Sequence, residues 1–366
     1  MVQTVTGLVA PDRLGPTMPH EHVLFDASYG FRLPEGAAER ALALAPVSLE
    51  NLWWLRYNYS YQNLDNRQLL DVNVAIDEVS FYKRDGGGAL VDATTRGIGR
   101  DPLGLAQIAR ATGVPIIMAA GYYVERSYPH DLTPQSENEL VKEFVRDVTD
   151  GVGDTGLRAG IFGELGCSLP WTANEQKVVR AAARAQQLTG VAITIHPGHA
   201  VHAALEILDT LKSAGARMDQ VIMGHAERAL ASTSEHLSVL KTGCYLEFDL
   251  FGLEVSYNTF SSLDTPSDGQ RLDYICRLVA EGYLERILMS QDTSSKARIT
   301  RYGGLGYGHI LRNLIPRMRR KGLTTTQIET LLVGNLARVL AIRAPSKDPL
   351  GKVLLPRQAV SSPQKT

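Results

Sequence analysis

Residues 19–22 read Pro19-His20-Glu21-His22 and place two imidazoles one residue apart. In an extended segment residues i and i+2 point to the same face, so His20 and His22 can approach one metal ion together, with Glu21 turned away. The flanking residues indicate a strand from 17 to 25. A His-x-His pair also arises by chance in a chain with nine histidines, and two ordinary surface or core imidazoles are the simpler interpretation. The case for a metal site therefore depends on the rest of the chain.

The bulk composition is that of a soluble globular protein. The chain has 366 residues, of which 44% are hydrophobic and 21% charged, and its net charge is −1. This balance gives no support for a nucleic-acid or anionic-membrane partner, and no long apolar run predicts a membrane helix. The three cysteines match no disulfide framework and no Cys-x-x-Cys zinc site, and no signal peptide is visible. We therefore expect a cytoplasmic protein that acts on a small molecule.

Short apolar runs alternate with helical periodicity along most of the chain. The sequence predicts eight strands, at residues 17–25, 89–92, 114–120, 157–164, 191–196, 220–225, 243–249 and 285–292. Parallel β/α units alternate in this way, and eight of them predict an α/β fold of the (β/α)8 TIM-barrel type. We expect one barrel domain over residues 1–342 and an extended or partly disordered tail over residues 343–366.

An aromatic-rich insertion is predicted after the first strand. Residues 27–65 lack a clean helical period and contain Trp53, Trp54, Tyr57, Tyr59 and Tyr61. This density of aromatic side chains indicates a packed lid or an interface. An ordinary hydrophobic mini-core under a long loop explains it equally well.

The apolar runs end repeatedly in side chains that bind metals. Chemistry in such a barrel gathers at the C-terminal ends of the strands. Six candidate ligands occupy these ends, namely His20 and His22 on the first strand, Glu164 on the fourth, His196 on the fifth, His225 on the sixth and Asp292 on the eighth. Each alone is more simply a structural residue, but their joint placement at five strand ends makes that explanation poorer.

Imidazole and carboxylate groups suit Zn²⁺ and related divalent ions. Six ligands are too many for one tetrahedral ion and suit two ions, with a central carboxylate between them. Two cations would acidify a bridging water, giving a hydroxide near neutral pH that acts as the nucleophile. Asp292 is the candidate to take up or relay the proton of that water.

The sequence resembles the phosphotriesterase family of the amidohydrolase superfamily over roughly residues 3–342. The matching segments are Met18–His22, Val91–Thr94, Ile98–Asp101, Gly121–Tyr123, His196–Pro197, Gly224–His225 and Gly334–Arg338. The resemblance implies a binuclear metal centre on a (β/α)8 barrel. One ion would take His20, His22 and Asp292, the other would take His196 and His225, and the residue on the fourth strand would bridge both.

The fourth strand departs from the commonest family pattern. Many members carry there a lysine that is carboxylated by carbon dioxide, whereas this chain has Glu164. A glutamate also supplies two oxygens and one negative charge. The resemblance is thus to the phosphotriesterase-related subgroup with a bridging Glu, and it points away from phosphotriester hydrolysis as the native reaction.

Two further residues are predicted to act on the substrate. Tyr123 follows the third strand and, by similarity to lactonases, would point its hydroxyl at the metal centre; a packed rim aromatic is an equal alternative. Arg228 is a candidate to pair with an acidic group of the substrate, and Glu227 to orient His225, with a structural salt bridge as the rival for each. Lys296, Arg298 and Arg301 are candidates to complete a cationic pocket, and a solvated basic loop is the simpler alternative for each of them.

We expect from the sequence and the resemblance a binuclear metal hydrolase of a carboxylic ester, lactone or amide. Phosphotriester or phosphoester hydrolysis is the alternative, because the metal ligands do not discriminate a carbonyl from a phosphorus centre. A non-catalytic metal-binding barrel is the second alternative. Zn²⁺ is the expected ion, with Mn²⁺, Co²⁺ or Fe²⁺ as substitutes, and a homodimer with Trp53 and Trp54 at its contact is an expectation from the resemblance.

Overall fold

The computed structural model describes residues 1–57, 62–254 and 264–346. Within them, eight parallel strands form a nearly closed barrel in which each strand neighbours the next along the chain. The strands are β1 Thr17–Glu21, β2 Ala89–Asp92, β3 Ile116–Ala120, β4 Ile161–Gly166, β5 Ala192–His196, β6 Val221–Met223, β7 Tyr245–Phe248 and β8 Ile287–Met289. The prediction of a (β/α)8 barrel is confirmed.

Helices lie between the strands and after the last of them. They are α1 Ala37–Leu44, α2 Leu52–Tyr57, α3 Val72–Arg84, α4 Pro102–Thr112, α5 Glu137–Thr149, α6 Ala173–Thr189, α7 Val201–Ser213, α8 Ala226–Ala229, α9 Thr233–Leu240, α10 Asp268–Ala280, α11 Ile315–Arg320, α12 Thr325–Glu329 and α13 Asn335–Val339. Several begin at capping boxes that the sequence encodes. In α6, for example, the Thr172 side chain accepts from the Glu175 backbone N–H and Glu175 reaches back, while Gly190 ends the helix in the left-handed conformation.

The barrel closes between β1 and β8. The backbone N–H of Asp292 donates to the His20 carbonyl at 3.0 Å, and the Ser290 hydroxyl accepts from the His20 N–H at 3.0 Å. The β1–β2 pairing shifts register between Met18 and Glu21, and the β4–β5 pairing shifts between Phe162 and Leu165. Such irregularities re-aim side chains at active sites, and these two bracket His20 and Glu164.

The first strand is shorter than predicted. It ends at Glu21, because the Asp92 carboxylate accepts the backbone N–H of Val23 at 2.7 Å and so takes the bond that a neighbouring strand would make. Phe25–Asp26 instead pairs antiparallel with Gln68–Leu69 at the base of the insertion.

The insertion carries a small hydrophobic core of its own, formed by Ala43, Val47, Leu52, Trp54 and Leu55. This matches the mini-core interpretation. Trp53 is 63% exposed, and the dimer contact predicted there stays a prediction. Tyr59 and Tyr61 lie outside the described residues.

The opposite end of the barrel is filled with apolar side chains. Val2, Leu14 and Leu336 pack there against residues of the strands, among them Ala89 and Ile161. The open end is therefore the one that carries the polar residues. At the start of the predicted tail, Arg343 and Ser346 donate backbone N–H groups to Gly190 and Gln187. Residues 347–366 lie outside the description, and the domain boundaries stay a prediction. Among the described residues, no helix is both long enough and apolar enough to cross a bilayer.

Candidate metal centre and active site

The six predicted ligands lie together at the C-terminal end of the barrel, with Glu164 in the middle. Its Oε2 lies 3.3 Å from His20 Nε2, 2.7 Å from His196 Nδ1 and 3.4 Å from His225 Nε2. Its Oε1 lies 3.3 Å from His22 Nε2. One carboxylate thus contacts all four imidazoles, which is the arrangement expected of a group shared between two ions.

Asp292 joins the cluster through His22, since its Oδ1 lies 3.3 Å from His22 Nε2. Asp292 and His225 both adopt left-handed backbone conformations, with φ of 48° and 53°. Residues other than glycine adopt the left-handed backbone region at an energetic cost, and residues under such strain cluster at functional sites.

The donor set fits divalent metal ions. Nitrogen and oxygen atoms close enough to share an ion occur in three overlapping groups: His20, His22 and Glu164; Glu164, His196 and His225; and His20, His225 and Asp249. The Nε2 atom of His20 is buried and, although Glu164 Oε2 lies 3.3 Å away, it makes no hydrogen bond within the described part of the chain. A buried polar atom without a partner is costly, and a metal ion at this position would satisfy it.

Two acidic residues behind the imidazoles were not predicted from the sequence. Asp249 Oδ1 lies 2.7 Å from His225 Nδ1, and its Oδ2 lies 3.3 Å from His20 Nδ1. Glu247 Oε2 lies 3.1 Å from the same His20 atom. Carboxylates in this position fix the tautomer and orientation of metal-binding imidazoles. The sequence feature that could have identified them is their spacing. Glu247 lies in the buried strand β7 and Asp249 directly follows it, and residues two apart in extended chain point both side chains to the barrel interior.

Charge in the cluster is unevenly distributed. Burial disfavours the imidazolium form, but the carboxylates of Asp249 and Glu164 outweigh it at His20 and raise its pKa well above the usual value. Hydrogen bonds with Asp292 and Glu164 likewise raise the pKa of His22 to about 9. His196 differs, because burial and the nearby Arg228 guanidinium hold its pKa well below the usual value. The surrounding imidazoles hold the pKa of Glu164 well below its usual range against the effect of burial.

Tyr123 and Arg228 meet at the outer nitrogen of His196. The Tyr123 hydroxyl lies 3.0 Å from His196 Nε2, and Arg228 Nη2 lies 2.8 Å from the same atom. Tyr122 points the other way and bonds Glu143. Both predicted substrate-contacting residues therefore lie beside the metal cluster, and their roles stay predictions.

A cavity of about 60 Å³ opens over the cluster. Its wall includes Arg67, Arg228 and Arg298, together with Glu164 and Asp292. A second cavity of about 530 Å³ adjoins it and shares Leu253, Ser295 and Arg298 with it.

The other charged candidates lie apart from the cluster. Glu227 does not contact the His225 side chain and instead pairs with the buried Arg271 at 3.0 Å, which favours the salt-bridge alternative. Lys296 pairs with Asp65 at 2.6 Å, and Arg301 is exposed. Of the three predicted cations after β8, only Arg298 lines a cavity over the cluster.

Known proteins are similar in sequence to this chain over most of its length. The phosphotriesterase family matches residues 1–340. The N-acetyltaurine hydrolase of Dictyostelium discoideum is 40% identical over 362 residues, which cover 93% of this chain and 98% of that protein. The human N-acetyltaurine hydrolase is 39% identical over 338 residues, 91% of this chain and 96% of that protein.

The chain belongs to the phosphotriesterase family.

Solved structures similar to this phosphotriesterase-family chain have the same fold. A resiniferatoxin-binding protein from Rhodobacter sphaeroides has a TM-score of 0.89 at 36% identity, covering 93% of this chain and 94% of that one. A lactonase from Listeria monocytogenes has a TM-score of 0.75 at 26% identity, covering 94% and 99%. The predicted family and hydrolase class are confirmed. The family consists of divalent-metal enzymes, and this chain has His and Glu groups suited to such ions.

Proposed function

We propose that this protein hydrolyses the amide bond of small N-acyl compounds that carry an anionic group. N-acetyltaurine, with its sulfonate, is a compound of this class. Relatives at 38–40% identity that align over more than nine-tenths of this chain are N-acetyltaurine hydrolases. The observation that carries the proposal is the position of Arg228 beside the metal cluster, because this residue supplies a cation where a sulfonate or carboxylate would lie.

Arg228 is suited to hold an anion. It forms no ion pair with a carboxylate among the described residues, and its Nε atom is buried there without a hydrogen-bond partner. Among the described residues, its Nη2 hydrogen-bonds to His196 Nε2 at 2.8 Å and to the Pro197 carbonyl at 3.4 Å. A guanidinium presents its donors in a fork that matches a carboxylate or sulfonate, and an anionic substrate would satisfy the orphaned donor.

The metal centre is proposed to hold two ions, for which Zn²⁺ is best suited. His20, His22 and Asp292 would hold one ion and His196 and His225 the other, with Glu164 between them. Divalent ions at such a centre polarise a carbonyl oxygen and acidify water. Asp249 and Glu247 would keep the Nδ1 atoms of His20 and His225 protonated, so that their Nε2 atoms face the ions.

The remaining residues bind the substrate and move protons. Arg228 holds the anionic end, and the Tyr123 hydroxyl donates a hydrogen bond to the carbonyl oxygen as negative charge develops on it. Asp292 takes the proton of the attacking water on a carboxylate oxygen and passes it to the amide nitrogen as the C–N bond breaks. The products are a carboxylic acid and an amine.

A substrate panel tests this proposal. N-acetyltaurine, its neutral analogue N-ethylacetamide, a γ-lactone and an aryl dialkyl phosphate are compared by kcat/KM. We expect the anionic amide to be preferred over the neutral one by a factor of about 10 to 100, the size of a charge-assisted hydrogen bond. In Arg228→Met this preference should disappear.

Arg96→Met is the matched control, because Arg96 follows β2 at the same end of the barrel but pairs with Glu143 at 3.0 Å. The control should keep the preference of the wild type. Faster turnover of the phosphate or of the lactone than of both amides would contradict the proposal.

A further inference from the structure

Arg271 has the largest fully buried side chain of the described residues. It lies on α10, outside the metal cluster, and its guanidinium is enclosed by two acidic residues. Nε donates to Glu227 Oε1 at 3.0 Å, and Nη1 donates to Asp268 Oδ1 at 2.8 Å. Nη2 donates to the backbone carbonyl of Leu253 at 2.8 Å.

The two acidic partners of Arg271 hold the backbone that follows β7. Glu227 accepts the N–H of Leu250 at 2.9 Å and that of Asp249 at 3.3 Å. Asp268 accepts the N–H of Gly252 at 2.9 Å. With the Leu253 carbonyl bound by Arg271 itself, four backbone groups between residues 249 and 253 are fixed by this one ionic cluster.

This segment carries two parts of the site. Its first residue is Asp249, whose carboxylate contacts Nδ1 of both His225 and His20. Its last residue is Leu253, which lines both cavities over the cluster. A shift of the segment would therefore move the support of two imidazoles and the wall of the substrate cavity together.

A buried ionic cluster of this kind is weak evidence for a contribution to stability, because replacing buried ion pairs by apolar side chains of similar volume is often neutral or stabilising. In some proteins such groups instead fix one geometry. The three planar donor directions used here are available to arginine and not to lysine.

We propose that Arg271 is a positioning residue, which sets the metal centre and the substrate wall by holding residues 249–253 through Glu227 and Asp268. The proposal rests on the proposed metal centre. It predicts that loss of the guanidinium fork changes metal binding even when the barrel remains folded.

The test compares Arg271→Lys with Arg100→Lys. Arg100 is also buried, with side-chain exposure of 4%, and pairs with Asp147 on α5 at 3.0 Å. Among the described residues its guanidinium donates to Asp147 and to the Ala119 carbonyl of β3, neither of which is a proposed ligand. Metal-free protein is titrated with Co²⁺, and both the dissociation constant and the visible absorption spectrum are recorded, because the spectrum reports ligand geometry without turnover.

We expect Arg271→Lys to weaken Co²⁺ binding about 10- to 100-fold, the range found for residues that orient metal ligands, and to alter the spectrum. In the loaded enzyme kcat should fall by a larger factor than KM rises. Arg100→Lys should bind Co²⁺ within about twofold of the wild type, whatever its melting temperature.

Asp268→Asn is the second variant, because it keeps the shape of the side chain and removes one charge of the cluster. It should weaken Co²⁺ binding in the same direction as Arg271→Lys, by a smaller factor. The inference is overturned if either folded variant binds Co²⁺ with the affinity and spectrum of the wild type. Failure of the wild type itself to bind Co²⁺ would instead overturn the proposed metal centre together with this inference.

Discussion

Oε1 of Glu164 lies 3.3 Å from Nε2 of His22, while the other oxygen of the same carboxylate faces the remaining three imidazoles. The two oxygens therefore divide the histidines between them. A carboxylate so placed can serve two cations at once, which is the role we propose for it.

Reconstitution of the metal-free protein should not require bicarbonate. Glu164 already provides the two oxygens and the negative charge, so no carbon dioxide has to be captured. Activity recovered after adding Zn²⁺ should be equal in bicarbonate-free and bicarbonate-containing buffer. A strict need for bicarbonate would show that another group bridges the ions.

Removal of one imidazole should weaken the whole centre. His20→Ala is expected to lower the bound metal and to reduce kcat/KM by at least about 1,000-fold, because the centre loses a ligand that also contacts the shared carboxylate. Elemental analysis and steady-state kinetics measure both effects. His202→Ala is the control, since His202 is exposed on α7. Full activity of His20→Ala would exclude His20 as a ligand.

Asp249 should support the metal although it lies behind the ligands. Asp249→Asn keeps the shape but removes the charge that holds the Nδ1–H of His225 and of His20. Metal affinity is expected to fall about 10- to 100-fold. Isothermal titration calorimetry of the metal-free protein with Zn²⁺ measures this affinity. An affinity equal to that of the wild type would show that Asp249 does not support metal binding.

The metal-free protein should lose stability as the pH rises from 6.5 to 9.5. The carboxylates around His22 outweigh burial and raise its pKa to about 9, against about 6.5 in the unfolded chain. A folded pKa above the unfolded one gives stability that is complete below pH 6.5 and is lost as the pH rises through 9, about 3 kcal/mol for this group. Burial raises the pKa of Glu247 from 4.5 to about 7, so the stability that this group contributes is lost mostly below pH 7 and adds little to the change in this range.

Urea unfolding of the metal-free protein at several pH values measures this loss. His196 has a lowered pKa and so changes the free energy of unfolding only below about pH 6.5. Bound metal keeps the imidazoles neutral, and the loaded protein should show a weaker dependence on pH. Greater stability of the metal-free protein at pH 9.5 than at pH 6.5 would contradict the charge distribution described here.

The sequence indicated that the six candidate ligands lie together because strand ends in a (β/α)8 barrel converge. Glu164, His196 and His225 each end an apolar run, and this position alone places them at the same end of the barrel, even though the sequence gives no distances between their side chains. The length of β1 was overestimated, because nothing in the apolar pattern shows that the Asp92 side chain binds the backbone at Val23.

The supporting residues were harder to find. Glu247 lies within the apolar strand β7 and Asp249 directly follows it, and only their spacing of two residues marks them as facing inward. The contact between Arg271 and Glu227 joins residues 44 positions apart. The hydrophobic periodicity of a helix or strand does not predict a pairing over such a separation. The binding of residues 249–253 by α8 and α10 is a property of the packed structure.

The most direct test of a two-ion amide hydrolase is to remove the metal and return it in known amounts. Chelator-treated protein is titrated with Zn²⁺ while bound metal and the hydrolysis of N-acetyltaurine are measured. The account predicts no turnover without metal and a plateau of activity at two ions per chain. A metal-free protein that hydrolyses the amide as fast as the untreated one would contradict it.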